Sequence, residues 1–184
     1  MDTPEATHSS AEDPDDSGDS DDVVVRLATV DDAEALRRIY NHEVEHTTHT
    51  FDLVPRSLAE QQAWLRKRVG AHGVLVAETN GRVVGFSALS EYRPRAAYRT
   101  SVGSSVYVEA AAQGRGIGRK LMQELVALAQ ARGFHTMLAR IAGGNDVSIQ
   151  LHAAVGFEKA GIEREVGRKF GEWLDVVVMQ RMLP

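Results

Sequence analysis

Ser104-Ser105-Val106-Tyr107-Val108-Glu109-Ala110-Ala111-Ala112-Gln113-Gly114-Arg115-Gly116-Ile117-Gly118-Arg119 passes from a β-branched strand, through a short turn, into glycine-rich backbone that opens an amphipathic helix. The glycines remove side chains where a ligand would approach. The first helical turn leaves its backbone N–H groups unpaired, with the positive end of the helix dipole behind them. A pyrophosphate fits such a cradle. Ile117, Leu121, Leu125 and Leu128 recur at spacings of three and four, with Arg119, Lys120 and Gln123 on other faces, so one side of this helix is buried and its N-terminus stays free.

Upstream, Val23 to Ala28 reads as a strand. Thr29 and Asp32 form a capping pair for a helix running to about His46, with Ala35, Leu36, Ile39 and Tyr40 as its apolar face. Ser57 caps a second helix that Gly70 and Gly73 end. Val74 to Glu78 and Arg82 to Leu89 are strands joined by Asn80-Gly81, the favoured two-residue hairpin turn. A basic loop, Arg93 to Tyr98, precedes the strand Val102 to Val108. Downstream, Phe134 to Ile141 reads as a strand, Asn145 to Val155 as a helix, and Phe157 to Lys169 with Trp173 to Met182 as two closing strands. Runs of strands with a few interposed helices predict an α+β fold, a sheet of mixed direction flanked by helices rather than a regularly alternating doubly wound sheet.

Residues 1–22 carry nine acidic side chains and no Lys or Arg. Such a segment cannot bury enough apolar surface to order itself, so a disordered acidic tail is expected there and one domain over residues 23–184. Subtracting the tail's formal charge of −9 from the chain's −5 leaves +4 on that domain, which suits a polyanionic ligand. The N-terminal stretch has neither the basic leader nor the apolar run of a signal peptide, and no apolar stretch approaches the roughly 20 residues that span a bilayer, so a cytoplasmic protein without a membrane role is expected. The chain has no cysteine, which excludes disulfides, thiolate zinc sites and cysteine nucleophiles. No basic stripe interleaved with aromatics suggests nucleic-acid binding.

Two common phosphate motifs fail. A Walker loop needs Gly-Lys-Ser/Thr, but Gly118 is followed by Arg119-Lys120-Leu121. A dinucleotide fingerprint needs an acidic residue about 20 positions beyond the glycines, where this chain has Met137, Leu138 and Ala139. The glycine cluster alone is also compatible with a tight strand-to-helix turn that binds nothing.

Gln113-x-x-Gly116-x-Gly118 after Val106-Tyr107-Val108 resembles the acetyl-CoA pyrophosphate motif of the GNAT N-acetyltransferase superfamily. Ile39-Tyr40-Asn41, Thr50-Phe51-Asp52, Arg93-Pro94-Arg95-Ala96-Ala97-Tyr98-Arg99, Asn145-x-x-Ser148-x-x-Leu151-His152 and Gly167-Arg168-Lys169-Phe170-Gly171-x-Trp173-Leu174-Asp175-Val176 resemble its phosphinothricin acetyltransferase family, which includes methionine sulfoximine and methionine sulfone acetyltransferases. The likeness runs from about residue 25 to the C-terminus. It implies direct transfer of an acetyl group from acetyl-CoA to a primary amine of a small amino-acid-like substrate in a ternary complex, and a homodimer.

Residue by residue, the resemblance implies that Val106, Tyr107 and Val108 pair with the pantetheine arm, with the Val108 N–H a donor to the developing oxyanion. Gln113, Gly114, Arg115, Gly116, Ile117, Gly118 and Arg119 would hold the pyrophosphate. Asn145 and Ser148 would contact the cosubstrate from the next helix, and His152 would be the general acid for the departing thiolate. Arg93, Arg95 and Tyr98 would face the acceptor's anionic groups, for which arginine forks are suited. Tyr107 and Gly103 would line the acceptor cavity.

One departure stands out. The family pattern Val-Glu-x-x-Val-Tyr-Val, whose glutamate is the proposed amine base, is here Val102-Gly103-Ser104-Ser105-Val106-Tyr107-Val108. Glu91, Glu109, water, or a weakly catalytic or non-catalytic acetyl-CoA-binding module are the open explanations. His42-Glu43-Val44-Glu45-His46, followed by His49, also spells the zinc-peptidase motif H-E-x-x-H. It stands at the end of a helix and explains none of the later motifs, so no metal is expected and these residues read as a polar helix end near the acceptor pocket.

Overall fold

The computed structural model describes residues 23–68, 70 and 72–184; the expected acidic tail lies outside them. Strand β1 (Val24–Leu27) is followed by helices α1 (Ala33–His46) and α2 (Leu58–Arg66), and then by strands β2 (Val74–Thr79), β3 (Arg82–Glu91) and β4 (Ser101–Val108). Helix α3 (Ile117–Ala131), β5 (Thr136–Ala142), α4 (Asp146–Ala154), β6 (Glu158–Lys169) and β7 (Glu172–Met182) complete the order. The sheet runs β1-β2-β3-β4-β5-β7-β6. Every neighbouring pair is antiparallel except β4 with β5, which is the α+β arrangement the element order implies.

Local chemistry sets the element ends. Asn80 and Gly81 both have positive φ, 50° and 73°, as a type I′ hairpin requires. At α2, Glu60 N–H donates to Ser57 Oγ at 3.3 Å while Ser57 N–H donates to the Glu60 carboxylate at 2.7 Å, a reciprocal capping box. The Thr29–Asp32 pair also forms, with Thr29 N–H donating to Asp32 at 2.7 Å. It opens a 3₁₀ turn over Val30–Asp32 before α1 begins. The Arg26 guanidinium grips both Asp32 oxygens at 2.9 Å, which fixes the carboxylate against the sheet and holds it below the usual carboxylate range.

The sheet has a core on each face. Leu121, Met122 and Leu125 of α3 pack on Val84, Leu89, Val102 and Met137. Leu36, Ile39, Tyr40 and Val44 of α1 pack on Val76, Phe86 and Ala88. Alternation along β4 sends Val102, Val106 and Val108 to the α3 face and Tyr107 to the α1 face. Each fully buried aliphatic side chain contributes about 1.5–3 kcal/mol. Together the two layers hold β4 rigidly at the centre, where the site lies. No helix of the described residues is long and apolar enough to cross a membrane.

Candidate active site

Strands β4 and β5 pair from Ser101 opposite Thr136 to Ser104 opposite Ala139, and then part. Beyond that point β4 stays on β3 as far as Val108 opposite Gly85, and β5 stays on β7 as far as Ala142 opposite Val176. The inner edges of residues 105–108 and 140–142 therefore face a V-shaped opening instead of each other. The Glu109 N–H donates to Val84 O at 2.9 Å, which fixes the alternation of the β3–β4 ladder. Tyr107 spends its backbone groups on β3, opposite Phe86, while those of Val106 and Val108 point into the opening. This corrects one expectation: Tyr107 cannot pair by its backbone with a ligand in the V, because β3 already uses those groups. Val106 can, and the Val108 N–H is aimed there. The Gln113 amide turns back to donate to Val108 O at 3.0 Å, which stiffens the strand end beside that N–H.

The glycine turn sits at the wide end of the V. Gly114 and Gly116 both have φ of 77°, a left-handed conformation that side chains with a Cβ resist. Gly116 is the N-cap of α3, and the first helical bond runs from Lys120 N–H to Gly116 O at 3.0 Å. The amides of Ile117, Gly118 and Arg119 thus have no intrahelical acceptor and are free at the start of the helix. Gly118 also lets α4 approach, since a Cβ there would lie 3.2 Å from Leu151 Cδ2.

Helix α4 closes the other wall. Asn145 caps it, its Oδ1 accepting from Ser148 N–H at 3.1 Å, which leaves the amide NH₂ as the donor end. One turn on, His152 is 2% exposed. Its Nδ1 lies 2.7 Å from the Ser148 carbonyl oxygen; a carbonyl only accepts, so Nδ1 carries the proton. The neutral ring then presents a lone pair at Nε2, which is buried without a partner. Burial pushes the imidazole below its ordinary range, and the Ser148 carbonyl opposes the shift only in part. A resting ring of this tautomer accepts a proton before it can donate one.

A cavity of about 500 Å³ connects these elements. Of the expected site residues, Val106, Tyr107, Val108, Gln113, Gly114, Gly116, Ile117, Gly118, Arg119, Asn145, Ser148 and His152 line it. Arg115 stands in the turn between the two glycines without lining the cavity. Gly103 lies further back on β4, where a Cβ would meet the Ser90 hydroxyl at 2.8 Å. Arg93, Arg95 and Tyr98 are exposed on the β3–β4 loop and are not brought to the cavity; Tyr92 stacks edge-on with Tyr98 and lies under the Arg93 guanidinium. Neither carboxylate weighed from sequence as a base reaches the cavity. Glu109 is held by Arg82 at 2.9 Å and by Arg38, and Glu91 is exposed at the end of β3 opposite Val102.

Sequence reasoning missed the β5 wall, Arg140 to Ala142, and the full part played by the end of α1. Glu43 and His49 both line the cavity, so the polar helix end does adjoin it. The H-E-x-x-H residues do not converge. His42 and His46 are ring neighbours at 4.8 Å, whereas Glu43 turns to His49 at 3.0 Å. Among the described residues no group of three or more His, Asp or Glu side chains is placed to hold a metal. The Tyr107 ring packs on Tyr40 and Phe86, each with centroids 5.2 Å away. Burial pushes the Tyr40 phenol up to about 12 and raises that of Tyr107 further, so both remain neutral hydroxyls.

The arrangement suits a long ligand with an anionic waist and an amide-bearing arm: free amides at the helix start meet the first, and an unpaired strand edge meets the second. The family model of the acetyltransferase (GNAT) domain matches residues 25–178. The L-methionine sulfoximine/L-methionine sulfone acetyltransferase of Pseudomonas aeruginosa is 40% identical over 158 residues, covering 85% of this chain and 92% of its own. The phosphinothricin N-acetyltransferase of Alcaligenes faecalis is 40% identical over 161 residues, covering 86% and 82% respectively. A GNAT superfamily phosphinothricin acetyltransferase from Sinorhizobium meliloti, solved in complex with acetyl-CoA, superposes with a TM-score of 0.85 at 37% identity and 88% coverage of each chain. With the domain matched over nearly its whole described length and the open β4 edge facing a bare helix start, the chain belongs to the GNAT family and is an acetyl-CoA-dependent N-acetyltransferase.

Proposed function

We propose that the protein acetylates the α-amine of a small amino acid of the phosphinothricin, methionine sulfoximine or methionine sulfone type. The V between β4 and β5 carries the acyl-transfer part of this reading, and the relatives' substrates carry the acceptor class. The non-catalytic alternative, which rested on Gly103, finds no support in either.

Acetyl-CoA supplies an activated acyl group as a thioester. The amides of Ile117, Gly118 and Arg119 hold its pyrophosphate, assisted by the dipole of α3. The Val106 backbone aligns the pantetheine arm, and the Val108 N–H meets the carbonyl oxygen as it gains charge. The Asn145 amide steadies the arm from α4. His152 Nε2 accepts a proton from nitrogen once the amine has added to the carbonyl, and as imidazolium it passes that proton to the departing sulfur. The acid role expected of His152 is kept in this relay, as its second half. The Arg93–Tyr98 loop retains an acceptor-binding role only on the strength of the resemblance. A homodimer suits the apolar side chains left exposed on the β6–β7 hairpin, Phe170 and Trp173 at about 60% exposure among them, and a cytoplasmic location suits the cosubstrate.

Thiol release from acetyl-CoA, measured with methionine sulfone, methionine sulfoximine, phosphinothricin and simple amino acids from pH 6.5 to 9.5, tests this reading. Turnover is expected on the first three, with kcat/KM higher than on unmodified amino acids. Absence of thiol release with the whole panel would refute it.

A further inference from the structure

We infer that His49, oriented by Glu43, is the base that deprotonates the acceptor amine, replacing the carboxylate missing at position 103; this rests on the amine-acetylation reading above. The two side chains come from different backbone elements, the last turns of α1 and the loop beyond it, yet meet at 3.0 Å between His49 Nδ1 and Glu43 Oε2. The contact is built, not incidental. Thr47 Oγ1 donates to the same Oε2 at 2.8 Å and accepts from the His49 backbone N–H at 3.0 Å. From β6, the buried Lys169 ammonium donates to Thr50 O at 2.9 Å and to Glu43 O at 3.3 Å, clamping the loop on both sides of His49.

Charge and burial divide the roles. The Glu43 side chain is 10% exposed and that of His49 is 42% exposed, so the carboxylate is held inside while the ring reaches the open cavity. A carboxylate accepting from Nδ1–H fixes the tautomer with a free lone pair at Nε2 and stabilises the imidazolium that follows. Glu43 is a positioning residue and His49 the catalytic one. The other ionisable groups lining the cavity are Tyr107 from β4, Arg119 from α3, Arg140 from β5, and Asp146 and His152 from α4. Lys169 lies within electrostatic reach of both Glu43 and Asp52. None of these is a second carboxylate–imidazole pair.

The proton count closes. The acceptor enters as an ammonium and gives one proton to His49 Nε2. Its nitrogen then adds to the carbonyl carbon to form the C–N bond, the second proton passes through His152 to sulfur as the C–S bond breaks, and His49 returns its proton to water. Products are the N-acetyl amino acid, CoA thiol and one proton.

His49→Ala and Glu43→Gln separate this role from a structural one, using the full chain and methionine sulfone. At pH 7 an α-amine with pKa about 8 is roughly one-tenth free, and a positioned base contributes 10²–10⁴ in rate. His49→Ala is therefore expected to lower kcat/KM about 10²-fold at pH 7 and less than tenfold at pH 9, where most of the amine is already free. Added imidazole should restore part of the loss, and CoA binding by calorimetry should stay within twofold. Glu43→Gln should lose about tenfold with the same pH trend. A His49→Ala enzyme within threefold of wild type from pH 6.5 to 9.5, or one with an equal loss at every pH and no imidazole rescue, overturns the inference while leaving the transferase reading intact. Wild type inert on every acceptor overturns both.

Discussion

Gly116→Val should raise the acetyl-CoA dissociation constant by about 10³-fold while the protein remains folded. At φ of 77° a β-branched residue is a genuine outlier, and the left-handed conformation costs roughly 1–2 kcal/mol even for an ordinary side chain. No protein atom lies within 4 Å of the added Cβ, so the chain relieves the strain by turning the N-cap instead of disturbing the core. That rotation redirects the amides of Ile117, Gly118 and Arg119. Hydrogen bonds to a charged group are worth about 1.5–3 kcal/mol each; losing two gives about 4 kcal/mol, near three decades in affinity. Gly161→Ala is the matched control, for Gly161 on β6 also has nothing within 4 Å of an added Cβ but no positive φ. Its affinity should be unchanged. Calorimetry with acetyl-CoA reads both variants, and wild-type affinity in Gly116→Val would show that the pyrophosphate lies elsewhere.

The anion cradle was legible because it is local. Strand, glycines and amphipathic helix follow one another within thirty residues, and each signature depends only on near neighbours: the 3.6 period of α3, the Asn80-Gly81 turn, the Ser57 capping box. The V was not legible in that way. It arises because β4 and β5 share only the pairs from Ser101–Thr136 to Ser104–Ala139, and where a parallel pair stops is decided by how each strand is held by its other neighbour. No residue in Arg140-Ile141-Ala142 signals it.

The end of α1 shows a different limit. Its histidines and glutamates were conspicuous in sequence, and helical spacing grouped His42 with His46 as two ligands with Glu43 between them. Spacing says which residues share a helix face; it does not say what the chain beyond the helix brings back. Thr47 ends α1, its backbone N–H donating to Glu43 O at 3.2 Å, and the loop returns His49 to the Glu43 carboxylate. The Arg93–Tyr98 loop is the opposite case. Its arginines suit an anionic acceptor chemically, but β3 and β4 are paired up to Glu91 opposite Val102, so the loop projects from the far end of β4 from the glycine turn. In both places what a residue can reach depends on tertiary packing, which neighbouring sequence does not encode.

His152→Asn should lower kcat about 10³-fold while leaving the acetyl-CoA dissociation constant within about threefold. Asparagine can still donate to the Ser148 carbonyl from a position close to that of Nδ1, so the packing of α4 survives; only the titrating Nε2 is lost, and proton transfer of this kind contributes 10²–10⁴ in rate. A melting series against pH supplies a readout that a merely structural side chain would not give. Because burial lowers the folded-state pKa of His152 below the ordinary 6.5, the unfolded chain binds the proton first as pH falls. The stabilising effect of keeping the ring neutral is full above pH 6.5 and is lost progressively as pH drops from there through the folded-state pKa. The variant should therefore show a shallower fall in melting temperature below pH 6.5. A residual slope should remain, since burial and the nearby Arg68 charge also lower His72. Wild-type kcat in His152→Asn would remove His152 from the proton relay; an unaltered slope below pH 6.5 would mean that the ring is not held neutral by its burial.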